Sequence, residues 1–282
     1  MPSARYLLLV VSLFYYSVAH PLQRTFTATS KCSLRSNLTD AFFTGNSSAA
    51  QFGLREASTW MSLLAKLSAE ESSSGQPHRL VLLGRHGQGY HNVAEAKYGT
   101  KAWDDYWSKQ NGSGDGLVWG PDAKLTEHGK KQAARLHCRL THEGPGIGAW
   151  YASPLSRALE TSSILSDKHN TTILEDLREV SGVHTCDMRS TKSQISSRFP
   201  WALATGLTEA DETWQSDIRE SDKHVQARAD GVARMLLSHS AQVISATTHS
   251  GFIRNFLKAV NHRETPIDTA GLIPLVLTYD CL

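Results

Sequence analysis

The sequence predicts an α/β sandwich: a mostly parallel central sheet flanked by helices. Short apolar runs alternate with helical segments from about residue 79 to 278, and strand followed by helix in turn builds parallel sheets. The 282 residues are 40% hydrophobic and 20% charged, enough for one large globular domain and unlike disordered, collagenous or coiled-coil chains. Basic and acidic residues number 29 and 27, a balance of +2. So small a surplus makes no global field for nucleic acid or an anionic membrane, and neither is an expected partner. Any bound anion must be gripped locally.

The N-terminus reads as an address. Arg5 precedes an uncharged run from Tyr6 to Tyr16 and then Ser17-Val18-Ala19. This is the pattern of a secretory signal peptide over residues 1–19, and the run is too short to span a bilayer. Four of the seven asparagines, Asn37, Asn46, Asn111 and Asn170, stand in N-glycosylation triplets, far more than chance supplies. A secreted or cell-wall-associated eukaryotic glycoprotein is expected. Cys32, Cys138, Cys186 and Cys281 permit two disulfides, and Cys32 with Cys281 near the chain ends is the favoured pair.

Residues 20–77 read as an N-terminal arm carrying one packed helix, and 78–282 as the catalytic domain. Residues 20 to about 50, rich in Ser, Thr and Asn, read as irregular and exposed. Leu63, Leu64 and Leu67 give Trp60–Leu67 helical spacing, and Ser72 to Pro77 breaks the pattern. Arg79–Leu83 reads as a buried strand and Thr126–Leu140 as a helix. Ala149–Ala152 is a strand, Leu155–Leu165 a helix and Thr172–Leu174 a strand. Lys223–Leu237 is a helix, Gln242–Thr247 a strand, Gly251–Val260 a helix and Leu275–Thr278 a closing strand.

Ligands of such sheets bind beyond the carboxyl ends of the strands. Three predicted strand ends carry Arg or His in loops of small residues: Gly84-Arg85-His86-Gly87-Gln88-Gly89-Tyr90-His91-Asn92, Ser153-Pro154-Leu155-Ser156-Arg157-Ala158 and Thr248-His249-Ser250-Gly251. Glycine allows close backbone approach, helix starts favour anions, and arginine offers a planar fork to phosphate oxygens. Two arginines and two histidines crowded at one sheet edge suit a phosphoryl pocket better than a packed core.

These segments, with Leu177-Arg178-Glu179, resemble the histidine phosphatase superfamily, in its phosphoglycerate-mutase-like branch, in family order over about residues 79–280. Tyr98-Gly-Thr-Lys-Ala-Trp103, Trp119 to Thr126 and Val183-His-Thr-Cys-Asp187 resemble the fungal phosphomutase-like members. The resemblance implies that His86 is a nucleophile forming a phosphohistidine, that Arg85 and Arg157 clamp the phosphoryl oxygens, and that His249 donates to them. It implies an amide contact from Asn92, and Gln88 reads equally as a substrate contact or a solvated loop residue. The acid-phosphatase branch has an Asp after its second His, where this chain has Ser250, so Glu179 is the implied proton donor. No cofactor and no metal are expected. His184 and Asp187 are expected at the pocket mouth, and His91 reads as an ordinary loop histidine. Trp103, Trp107 and Trp119 suit either an apolar lid or a small satellite core.

The implied activity is hydrolysis of small phosphate esters by a secreted phosphatase. A pathway-dedicated phosphatase or phosphomutase-like enzyme acting on one intermediate, such as a terpenoid phosphate, is the alternative. A catalytically silent phospho-ligand binder is the non-enzymatic one.

Overall fold

A computed structural model describes residues 32–36, 39–55 and 58–281. The predicted leader and the Asn37 acceptor lie outside these residues. The strands are β1 (Cys32–Arg35), β2 (Arg79–Arg85), β3 (Ala149–Ala152), β4 (Thr171–Ile173), β5 (Ala202–Leu203), β6 (Val243–Thr248) and β7 (Leu272–Cys281). The helices are α1 (Thr39–Phe42), α2 (Trp60–Ser74), α3 (Tyr90–Tyr98), α4 (Thr100–Asp105), α5 (Glu127–Glu143), α6 (Ser156–Leu165), α7 (Lys192–Arg198), α8 (Asp222–Ser238) and α9 (Ser250–Ala259). The sheet order is β1-β7-β2-β6-β3-β4-β5. Strands β2 to β5 on that list run parallel, and β7 is antiparallel to both of its neighbours.

Side chains alternate across the sheet and so define three layers. Val81 and Leu83 of β2 face one core with Ile244, Leu275 and the inner faces of α8 and α9, including Val225, Leu236, Phe252 and Phe256. Leu80 and Leu82 face the other, with Val276, Leu63 and Leu67 of α2, and Leu136 and Leu140 of α5. The chain is thus a three-layer α/β sandwich, as the alternating pattern predicts.

Two expectations are corrected. The arm is not irregular and exposed over its described part: β1 pairs with β7, and Phe42, Phe43 and Phe52 are buried against the second core. Polar composition hid three aromatic anchors whose burial outweighs it. The break expected from Ser72 comes three residues later: α2 runs to Ser74, and the Ser72 and Ser74 hydroxyls bond back to the Ser68 and Glu70 carbonyls instead of opening a turn. Gly75, in the left-handed conformation, then ends it. Cys32 is disulfide-bonded and stands opposite Cys281 in the ladder, whereas Cys138 and Cys186 are free. Among the described residues no helix is long and apolar enough to cross a membrane.

Candidate active site

Neighbouring strands β2, β6 and β3 release the three motif loops side by side, and the β4 loop adds Glu179. His86 follows β2 and is 2% exposed. Its backbone is pinned on both sides, N–H to Thr248 O at 3.0 Å and C=O from Ala270 N at 2.9 Å. The next residue must be glycine: a Cβ on Gly87 would stand 2.5 Å from the Gly129 carbonyl of α5. Arg157 lies in the first turn of α6, whose start is fixed by the buried Asp122 carboxylate accepting from Ser156 N at 2.7 Å. His249 is the N-cap residue of α9.

The nucleophile candidate has a defined tautomer. Its Nδ1 lies 2.6 Å from Gly87 O, an acceptor only, so the proton sits on Nδ1. Its Nε2 accepts from Arg157 Nε at 3.3 Å and therefore presents a lone pair. Burial, then Arg157 and Arg85, hold this ring well below the usual imidazole range, so it is neutral. Burial and Arg157 do the same to His249.

Arg157 is 1% exposed and is oriented from the 184–187 turn. Its two terminal nitrogens donate to Cys186 O and Asp187 Oδ1, each at 2.7 Å. Asp187 also accepts from Arg219 at 3.0 Å. Burial works against each charge in this pair. The ion pair outweighs it, holding the Asp187 carboxyl below and the guanidinium above their usual ranges. The 182–184 turn leading into it is strained: His184 N donates to Gly182 O at 2.7 Å across Val183, a β-branched residue at φ 61°. Asp187 was expected only at the mouth. Its clamp on Arg157 could not be read from spacing, because thirty residues separate the partners.

A cavity of about 270 Å³ opens here, lined by Arg85, His86, Asn92, Arg157 and Glu179, with His91, His184 and Asp187 beside them. Asn92 accepts from Gly89 N at 2.9 Å, which leaves its NH₂ as the end with donors to offer. Arg85 donates to Ile267 O at 2.9 Å and lines the cavity. Glu179 Oε1 accepts from Val180 N and Phe252 N, at 2.9 and 3.1 Å, and Oε2 from Gly251 N at 3.1 Å. Its carboxylate thus caps α9. Arg178, its neighbour, pairs instead with Glu175 and Asp211.

Two expected residues do not line the cavity. The Gln88 side chain accepts from Thr126 Oγ1 at 2.8 Å, so the bond to α5's N-cap turns it away from substrate. His249 is fully buried beside His86, their ring centroids 5.0 Å apart; its Nε2 lies 2.8 Å from Ser153 Oγ and its Nδ1 has no protein partner among the described residues. The tryptophans form a satellite core with Ala94, Ala123 and Cys186, and only Trp103 reaches the cavity.

His184, Cys186 and Asp187 place ligand atoms within 4.8 Å of one another. The set does not fit a metal: burial pushes the Cys186 thiol well up, and both Asp187 oxygens are engaged by arginines. A larger hollow of about 410 Å³ behind the 178–182 turn is lined by Arg178, Glu220 and Arg228, whose charges are paired. The unpaired chemistry is in the smaller cavity.

Residues 81–270 match the model of the histidine phosphatase superfamily, branch 1. The chain belongs to that superfamily. Its histidine phosphatase relatives include a probable phosphoglycerate mutase of Arthroderma benhamiae, 39% identical over 75% of this chain and 67% of the relative. Phosphomutase-like protein 3 of Candida albicans is 35% identical over 81% and 72%. A probable phosphoglycerate mutase of Saccharomyces cerevisiae is 32% identical over 73% and 80%. This histidine phosphatase is therefore an enzyme of the phosphoglycerate-mutase-like branch, with phosphatase or mutase-like activity.

Proposed function

We propose that this enzyme hydrolyses phosphomonoesters in two steps through a phosphohistidine on His86. The observation that carries the reading is the tautomer: Nδ1 is bonded to Gly87 O, and Nε2 is the unprotonated nitrogen, held only by a 3.3 Å bond from Arg157 that an entering phosphoryl group can replace, at a cavity lined by Arg85 and Arg157. Nε2 attacks phosphorus as the P–O ester bond breaks, and the two guanidiniums neutralise the spreading charge. Glu179 delivers a proton to the leaving oxygen from Oε2, the oxygen with a single backbone contact. The resulting carboxylate then takes a proton from water attacking the phosphohistidine, orthophosphate departs, and Nε2 is restored. Asn92 adds its amide to the phosphoryl oxygens, and His249 packs against the ring of the nucleophile.

We place the enzyme outside the cell, where water is the acceptor. The leader pattern supports this, as do the exposed acceptors Asn46, Asn111 and Asn170 and the disulfide-bonded Cys32. With His86, both arginines and Glu179 assembled, a silent binder is disfavoured.

The test is rapid quenching with ³²P-labelled ester. Acid-labile label should appear on the wild-type chain, and His86→Ala should lose both label and turnover, by about 10⁴-fold or more. Turnover that survives this substitution rejects the mechanism.

A further inference from the structure

We propose that His91 is a substrate-contacting residue whose Nε2–H donates to the phosphoryl group. The inference rests on the phosphatase reading of this cavity and adds a residue that motif spacing marks as an ordinary loop histidine.

His91 sits in the first turn of α3, its ring centroid 5.3 Å from that of His86 and tilted by 55°. It lines the cavity beside the nucleophile. Its Nδ1 is enclosed without a hydrogen-bond partner. The glycine two residues earlier explains the pose: a Cβ on Gly89 would lie 2.6 Å from Nδ1 and 2.7 Å from Cε1. That edge of the ring is laid against the turn, and Nε2 is on the opposite edge. With no acceptor at Nδ1, the proton belongs on Nε2.

The surroundings keep the ring neutral. Burial, then Arg157, His86, Arg85 and His184, hold it well below the usual imidazole range. A neutral N–H donor needs no proton from solvent and gives none up. Desolvating an imidazole beside two guanidiniums with no hydrogen bond in return costs stability, and the fold gains nothing visible from it. The adjoining satellite core shows that aromatic apolar rings fill such space well. Phosphoryl oxygens supply the missing acceptor. They also have room for another donor, because Arg157 commits bonds to Cys186, Asp187 and His86.

The experiment compares His91→Ala, His91→Gln and His91→Phe by phosphate release, orthovanadate inhibition and melting temperature. Removing one such donor should lower kcat about 10²-fold and weaken vanadate inhibition at least about tenfold in the Ala variant. Melting temperature should hold within about 2 °C, since no protein hydrogen bond is lost. Gln, with an amide N–H, should recover part of the rate, and Phe none. Wild-type kcat and vanadate inhibition in His91→Ala overturn the proposal. So does equal rescue by Gln and Phe, which marks packing, or loss of one limb of the pH–rate profile in His91→Gln, which marks proton transfer. A wild-type enzyme that releases no phosphate from any ester would sink the phosphatase reading itself.

Discussion

Two buried arginines, one in the first turn of α6 and one after β4, show how the same side chain serves a fold or a reaction. Arg178 uses both terminal nitrogens fully, on Glu175, Asp211, Thr213 and the Asp187 carbonyl, and Arg189 likewise ties Glu175 to the 208–210 backbone. Hydrogen bonding to Arg178 carries the Asp211 carboxyl down to about 2, overcoming the burial that opposes it. Arg157 is as deeply enclosed, yet each terminal nitrogen makes one protein contact and keeps one N–H, in a residue that lines a cavity and holds the unprotonated nitrogen of His86. Burial alone does not mark function. Unused hydrogen-bonding capacity beside a hollow does.

Exchanging the two arginines breaks the comparison most sharply. Arg178→Met strands Asp211 and Glu175 and should cost about 3–5 kcal/mol of stability by urea unfolding, with activity per folded molecule largely kept. Arg157→Lys should instead lower kcat by about 10²–10³-fold, because an ammonium cannot hold Asp187, His86 and phosphate at once. If both variants lose activity and stability in proportion, the distinction fails. Glu179→Gln comes next: turnover of alkyl phosphates should fall about 10²-fold, and of aryl phosphates with good leaving groups much less. Equal losses would make Glu179 only a helix cap.

The smallest effect concerns acid. Folded His86, His91 and His249 stay neutral where the unfolded imidazoles, titrating near 6.5, take up protons. The unfolded state then binds more protons, so stability falls as pH drops through that value, by about 2 kcal/mol in sum between pH 7 and 6. Asp211 and Glu220, both carried down to about 2, act in the same direction at lower pH, between the unfolded carboxyl range near 4 and that value. A urea midpoint that is flat from pH 7 to 6 would contradict the neutral cluster. The same depression should let turnover persist below pH 6.5.

The strand ends and their motifs were legible because apolar runs closed by glycine announce both a buried strand and a ligand loop. Ala149–Ala152 stands as the sequence predicts it, and the helices after Thr126 and Leu155 begin at those residues as caps. What sequence could not yield depends on distant partners. Strand β1 exists only through β7 at the far end of the chain. Gln88 looks like a site residue until Thr126 of another element claims its amide. His91 gives the opposite error: nothing local distinguishes it, and only the closing of α3 over Gly89 turns it inward. Helices α3 and α4 escaped notice because their buried faces are narrow, Ala94 and Trp103 alone among their residues being fully enclosed.

The sheet's margins carry a practical consequence. Among the described residues it ends in the two-residue β5 on one side and the four-residue β1 on the other. Short outer strands of this kind present few open backbone groups to a second molecule, which blunts edge-to-edge pairing at those two strands.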